Sequence, residues 1–129
     1  MTRIELPLLK GKTWEVSVED ILYVQAEGQM SLVYYRDENS RSQYKYVNLL
    51  LGSIEQRLCT SQFYRSHKSC IINLSHVVPY GRYPDMLLEV NHSEYVPLSR
   101  RRRMEFHKVY GDFMKRKALN LQSVKHFDR

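Results

Sequence analysis

Two short segments gather side chains able to hold a polyanion. Phe63-Tyr64-Arg65-Ser66-His67-Lys68-Ser69-Cys70-Ile71-Ile72-Asn73 sets cations, hydroxyls and an amide between apolar stretches, and Val96-Pro97-Leu98-Ser99 later runs straight into Arg100-Arg101-Arg102-Arg103. Duplex nucleic acid presents closely spaced phosphates, and each one neutralised by Lys or Arg releases counterions. Arg100 stands nearest the strand end, with Arg101 beside it. The planar fork of an arginine matches guanine O6 and N7 in a major groove, a pairing that carries about 1–3 kcal/mol of discrimination. On a helix the four arginines fan around the axis, so one or two are expected to be solvated or paired with Glu105. Lys68 is a compact charge better suited to a phosphate than to a base edge. Ser66 and Ser69 are expected first to cap the local turn and only second to touch phosphate. Arg65, inside a strand, is expected to pair with a carboxylate within the fold.

The composition narrows the class. A chain of 129 residues with 43% hydrophobic and 26% charged residues fits one globular domain. The formal net charge is +6, and the cations thicken at residues 65–68 and 100–117. No apolar run approaches the roughly 20 residues of a membrane span, and the N-terminus lacks a signal-peptide pattern, so a cytoplasmic protein without membrane partners is expected. No GxSxG, HExxH, Walker or GxGxxG pattern is present. The five histidines lack metal-ligand spacing, and a His67–Cys70 pair has no nameable oxyanion hole. Neither an enzyme, a metal nor a cofactor is expected. The two cysteines, Cys59 and Cys70, read as buried reduced thiols.

These side chains need a framework. Alternating polar and apolar residues over 12–18 and 41–47, a short apolar run over 21–25, and turn residues between segments predict strands over 4–9, 12–18, 21–25, 30–36, 41–47, 63–65, 70–73, 76–80, 86–90 and 94–98. Gly28 supplies a turn at 26–29, residues 37–40 close a hairpin, 81–85 form a loop, and Asn91-His92-Ser93 turns the last hairpin. Asn48 reads as the N-cap of a short helix over 49–59, with Leu50, Leu51, Ile54 and Leu58 on its apolar side. From Ser99, a potential cap, a basic helix follows with Met104, Val109, Phe113 and Met114 as its apolar side, and residues from 119 onward read as a frayed tail. The clustered tyrosines Tyr34, Tyr35, Tyr44 and Tyr46 are expected to pack across strands rather than stack on bases.

The ordered segments resemble the LytTR DNA-binding domains of bacterial transcription regulators. Ile21-Leu22-Tyr23-Val24-Gln25-Ala26-Glu27-Gly28 is similar to the family's opening strand and glycine, and Leu50-Leu51-Gly52-Ser53-Ile54-Glu55-Gln56-Arg57-Leu58 to its helix. The segment from Phe63 to Asn73 resembles its most specific signature, and Val96-Pro97-Leu98-Ser99-Arg100 its final strand and arginine. The resemblance spans roughly residues 6–110. It implies a mainly β fold, an elongated stack of small antiparallel sheets with about ten strands, a short internal helix and a C-terminal helix. It divides the chain into a DNA-binding domain over 1–110 and a helical extension and tail over 111–129. It implies that loops enter successive major grooves of double-stranded promoter DNA, with Gln29, Met30 and Arg100 as major-groove readers and Lys68 on the intervening minor groove. His67 and Asn73 are then structural. Met30 cannot hydrogen-bond a base edge well, so two readings stay open: Met30 against a thymine methyl, or Gln29 taking the role by pairing with adenine. The resemblance also implies a second copy on repeated half-sites, and a receiver domain or sensor partner outside this chain. The residues alone leave two alternatives open, a basic protein-interaction module and a small RNA-binding β domain.

Overall fold

A computed structural model describes residues 2–58, 61–80, 87–90 and 94–127. Cys59, Met86, the loop expected over 81–85 and the turn expected at Asn91-His92-Ser93 lie outside the described residues. Among the described residues, ten strands form three antiparallel sheets. β1 (Arg3–Pro7) and β2 (Thr13–Ser17) make a hairpin. A five-stranded sheet has the order β5-β4-β3-β7-β6, from β3 (Ile21–Glu27), β4 (Met30–Arg36), β5 (Ser42–Val47), β6 (Phe63–His67) and β7 (Cys70–Asn73). β8 (Val77–Tyr80), β9 (Leu87–Val90) and β10 (Glu94–Val96) form the third sheet. Between β5 and β6 lies α1 (Leu51–Arg57), and α2 (Arg103–Phe127) follows the strands.

Alternation along the central strands explains the layering, because successive side chains point to opposite faces. In β7, Ile71 faces one core while Cys70 and Ile72 face the other. The first core joins the β1–β2 hairpin and α1 to the sheet through Leu6, Val16, Val24, Val33, Val47 and Ile54. The second seats the β8–β9–β10 sheet and α2 on the opposite face through Ile72, Leu88, Val90, Val96 and Phe106. The tyrosines pack across strands as expected: Tyr34 lies opposite Tyr44, and their ring centroids are 5.8 Å apart.

Helix ends depart from expectation. α1 starts at Leu51, and Leu50 before it is 53% exposed rather than part of the apolar side. Asn48 is no cap; its backbone N–H donates to the Pro7 carbonyl at 2.8 Å instead. The Ser99 side chain caps nothing, and a 3-10 turn over Arg100–Arg102 precedes α2. α2 packs through Phe106, Val109, Tyr110 and Phe113, whereas Met104 is 71% exposed and Met114 is exposed. Val109 and Phe113 pack as expected, and Phe106 and Tyr110 complete the i, i+3, i+4, i+7 stripe from which Met104 and Met114 fall away. Residues 119–127, expected to fray, continue α2, with neither Gly nor Pro to break it.

Two buried polar groups of β7 carry measurable consequences. Asn73 is fully buried and donates to the carbonyls of Ile21 at 2.8 Å and Val18 at 3.4 Å, while its own carbonyl accepts from the backbone N–H and hydroxyl of Ser75. Asn73→Ala would strand these groups in a dry interior. It is expected to lower the unfolding free energy by about 2–4 kcal/mol, read from urea midpoints. Cys70 is the second. Burial pushes its thiol from 9.0 up to about 11, outweighing the lowering by the Ser66 hydroxyl and the Arg65 charge. A thiol that holds its proton more tightly when folded contributes stability that is full below its unfolded value and is lost as pH rises through its folded one. The Cys70 thiol should therefore account for a loss of about 2–3 kcal/mol between pH 9 and 11. Cys70→Ala, compared by urea titration across that range, should show a shallower decline.

Candidate nucleic-acid interface

Strand direction decides which loops share an end of the central sheet. The C-terminal ends of β5, β3 and β6 and the N-terminal ends of β4 and β7 lie along one rim. The Gly28-Gln29 turn between β3 and β4 sits on this rim, as does the Lys68-Ser69 turn between β6 and β7. Gly28 takes a φ of 59° at the first central position of a two-residue hairpin, a conformation that glycine adopts without Cβ strain.

Two backbone hydrogen bonds stitch three segments together there. Ala26 N–H donates to the Ser69 carbonyl at 2.8 Å, which ties the end of β3 to the Lys68-Ser69 turn. Ser99 N–H donates to the Ser66 carbonyl at 2.8 Å, which brings the segment before Arg100 against the end of β6. All five residues singled out from the sequence thus come to one edge. Gln29, Lys68, Arg100 and Arg101 are exposed, and Met30 is partly exposed as the first residue of β4. Among the described residues, no carboxylate forms an ion pair with Lys68, Arg100 or Arg101. Neighbouring strands lie about 4.8 Å apart, so the outer strands of this sheet are separated by about 19 Å.

The remaining polar residues of the motif build the rim rather than decorate it. The Arg65 guanidinium donates to the carbonyls of His67 at 3.1 Å and Lys68 at 2.6 Å, and pairs with Glu55 of α1 at 2.8 Å. The internal carboxylate partner expected for Arg65 is therefore present. Its grip on the Lys68 turn was not foreseen, because backbone carbonyls of a turn leave no mark in the residue pattern. His67 Nδ1 accepts from the Ser69 N–H at 3.1 Å and lies 2.8 Å from the Ser69 hydroxyl, so Ser69 braces the turn as expected. Ser66 is fully buried beside Cys70 and is withdrawn from any phosphate.

The arginine run divides in two. Arg100 and Arg101 point outward, whereas Arg102 turns inward and donates to the Arg65 carbonyl at 3.0 Å. Glu105, expected to pair with one of the arginines, instead accepts from the Tyr64 hydroxyl at 2.6 Å. Desolvation together with that carboxylate raises the Tyr64 phenol far above its ordinary value. Further along α2, Arg116 reaches the Ser61 carbonyl at 3.0 Å, near the start of β6 and away from the rim. Only the first part of the basic C-terminal stretch therefore belongs to the edge. The opposite end of the β4–β5 hairpin collects carboxylates, with Glu15, Asp20, Asp37 and Glu38 around an open cleft of about 910 Å³.

Comparison with known proteins agrees with this architecture. The model of the LytTr DNA-binding domain matches residues 11–111. A CO-responsive transcriptional regulator, RcoM of Rhodospirillum rubrum, is 29% identical over 100 residues, which is 74% of this chain and 40% of that protein. The chain thus spans less than half the length of that relative. A solved LytTr DNA-binding domain from Bacillus cereus superposes with a TM-score of 0.67 at 24% identity, covering 86% of this chain and 98% of that one. It shares the fold of small antiparallel sheets. With the family model matching most of its length, the chain belongs to the LytTR family of DNA-binding domains.

Proposed function

We propose that this chain is the sequence-specific, double-stranded-DNA-binding domain of a bacterial transcription regulator, and that it reads promoter DNA with the rim of its central sheet. The observation that carries this reading is the stitched edge. Exposed Lys68, Arg100 and Arg101 share it with the Gln29-Met30 tip, on a scaffold buried on both faces. Arg100 reads guanine in one major groove, and the Gln29-Met30 tip reads the next. Gln29 serves as the polar reader and Met30 as an apolar contact with a thymine methyl. Lys68, between them, neutralises phosphate across the minor groove, and Arg101 supports it. Insertion of tips on both sides of a minor groove favours a modest bend, which adds deformability to the readout.

Residues 1–110 act in this reading as the DNA-binding unit, and 111–129 extend it. Two copies occupy repeated half-sites about one turn apart. A receiver or sensor module carried elsewhere supplies control, and the protein works in the cytoplasm. The family is one of DNA-binding domains rather than of enzymes. Among the described residues no helix is long and apolar enough to cross a membrane.

Selection of random duplexes on the purified chain, followed by anisotropy titrations across salt, tests the reading. Lys68→Ala should weaken all duplexes alike and reduce the slope of log K against log salt by about 1. Arg100→Ala should lose about 1–3 kcal/mol of preference at one guanine while leaving other positions intact. Full sequence preference in Arg100→Ala would remove that residue from the readers. Tighter binding of single-stranded RNA than of duplex DNA would overturn the reading itself.

A further inference from the structure

The β1–β2 hairpin carries a loop that the sequence reading left without a role. Its open end, Arg3 and Ser17, lies toward the start of β3, so its closed end, residues 8–12, points toward the rim. The hydrogen bond from Asn48 N–H to the Pro7 carbonyl, 2.8 Å, anchors that closed end just beyond β5. Val47, the last residue of β5, lies opposite Ser31, next to Met30 of the reading tip. The loop therefore stands at the lateral end of the rim opposite to Arg100.

Its chemistry is specific. Leu8 N–H donates to the Lys12 carbonyl at 2.7 Å and closes the loop, and Lys10 is held at φ 62° and ψ 32°. A left-handed backbone is strained for a residue with a Cβ, and the closed loop holds Lys10 in it. Lys10 and Lys12 are exposed, with no ion-pair partner among the described residues. They flank a shallow notch of about 270 Å³ whose other walls are Leu8, Leu9, Lys45 and Tyr46. Leu9 and Tyr46 are 48% and 42% exposed, an apolar floor under a basic lip. Lys45 is committed elsewhere, with its ammonium 5.6 Å from the Trp14 ring centroid, yet its charge still adds to the local potential.

We infer that this notch is a further DNA-backbone site, in which Lys10 and Lys12 hold phosphate and Leu9 and Tyr46 lie against the adjoining deoxyribose. The inference rests on the proposed duplex binding and extends the footprint past β5, outside the reading tips. Because phosphate contacts position a protein without reading sequence, the notch sets affinity and register rather than preference.

The test uses the full chain and a selected duplex in two lengths, one with a helical turn of flanking DNA on each side and one trimmed on the β5 side. On the long duplex, Lys10→Ala/Lys12→Ala should lower the salt slope by about 1–2, at about 0.9 per phosphate. Sequence preference should stay unchanged, and the difference from the native chain should vanish on the trimmed duplex. Both lysines are exposed, and an unchanged circular dichroism melt will confirm that the variant folds. An unchanged slope on the long duplex, with Lys68→Ala still lowering it, overturns this inference and leaves the rim reading intact. Failure of the native chain to bind any duplex overturns both. Lysine-dependent binding to vesicles of anionic phospholipid, with no change in the DNA slope, also overturns the notch as a DNA site.

Discussion

The structure depends on a constraint of backbone hydrogen bonding at one edge of one sheet. Ala26 to Ser69 and Ser99 to Ser66 are ordinary amide–carbonyl bonds, yet they join three chain segments distant in sequence. Each such bond contributes modestly to stability, about 1 kcal/mol. Their larger effect is geometric. They set the spacing between the Gln29 tip, the Lys68 turn and the Arg100 segment before any ligand arrives. Exposed long cations lose rotamer freedom on binding, and a fixed backbone keeps that loss from extending to the loops.

The rest of the fold supports that edge. A sheet covered on both faces buries its apolar side chains in two cores, one under the β1–β2 hairpin and α1, the other under the third sheet and α2. Strand ends are then the natural place for polar groups, since they face water while the strands stay dry. Asn73 secures the end of β7 away from the rim with its full set of amide bonds. Arg65 secures the rim itself by gripping two carbonyls of the Lys68 turn and pairing with Glu55. Of two neighbouring cations in the signature, one is thus part of the frame and the other is left to solvent. Tyr23 binds the layers together as well: its hydroxyl donates to Glu94 of β10 at 2.9 Å, and its ring stacks on Tyr34 with centroids 4.2 Å apart.

Much of this was legible in the residues. Alternation, short apolar runs and turn residues located every strand, and for β4 and β7 both ends agree. Such alternation is a local property, produced by one face being dry and the other wet or differently packed. Helices were read less well. Leu50 looked like a core residue by spacing, but the chain enters α1 one residue later and turns it outward. Phe106 was missed although Phe106, Val109, Tyr110 and Phe113 recur at helical spacing, because Met104 was taken for the start of the apolar side in its place. The roles of Ser66 and Arg102 were also hidden, since burial and a carbonyl partner are made by distant strands.

By itself, the sequence determined the kinds of groups available: a guanidinium run after a strand, a lysine in a tight turn, a glycine able to take positive φ. It also determined that they would sit at strand ends. The tertiary structure alone decided that those ends coincide. The order β5-β4-β3-β7-β6 comes from pairing between segments far apart in the chain, and β3 stands beside both β4 and β7. Non-local pairing of this kind is chosen by the burial of whole faces rather than by any local preference. Residue spacing can therefore name the tips of such a sheet, but only the folded sheet can bring them side by side.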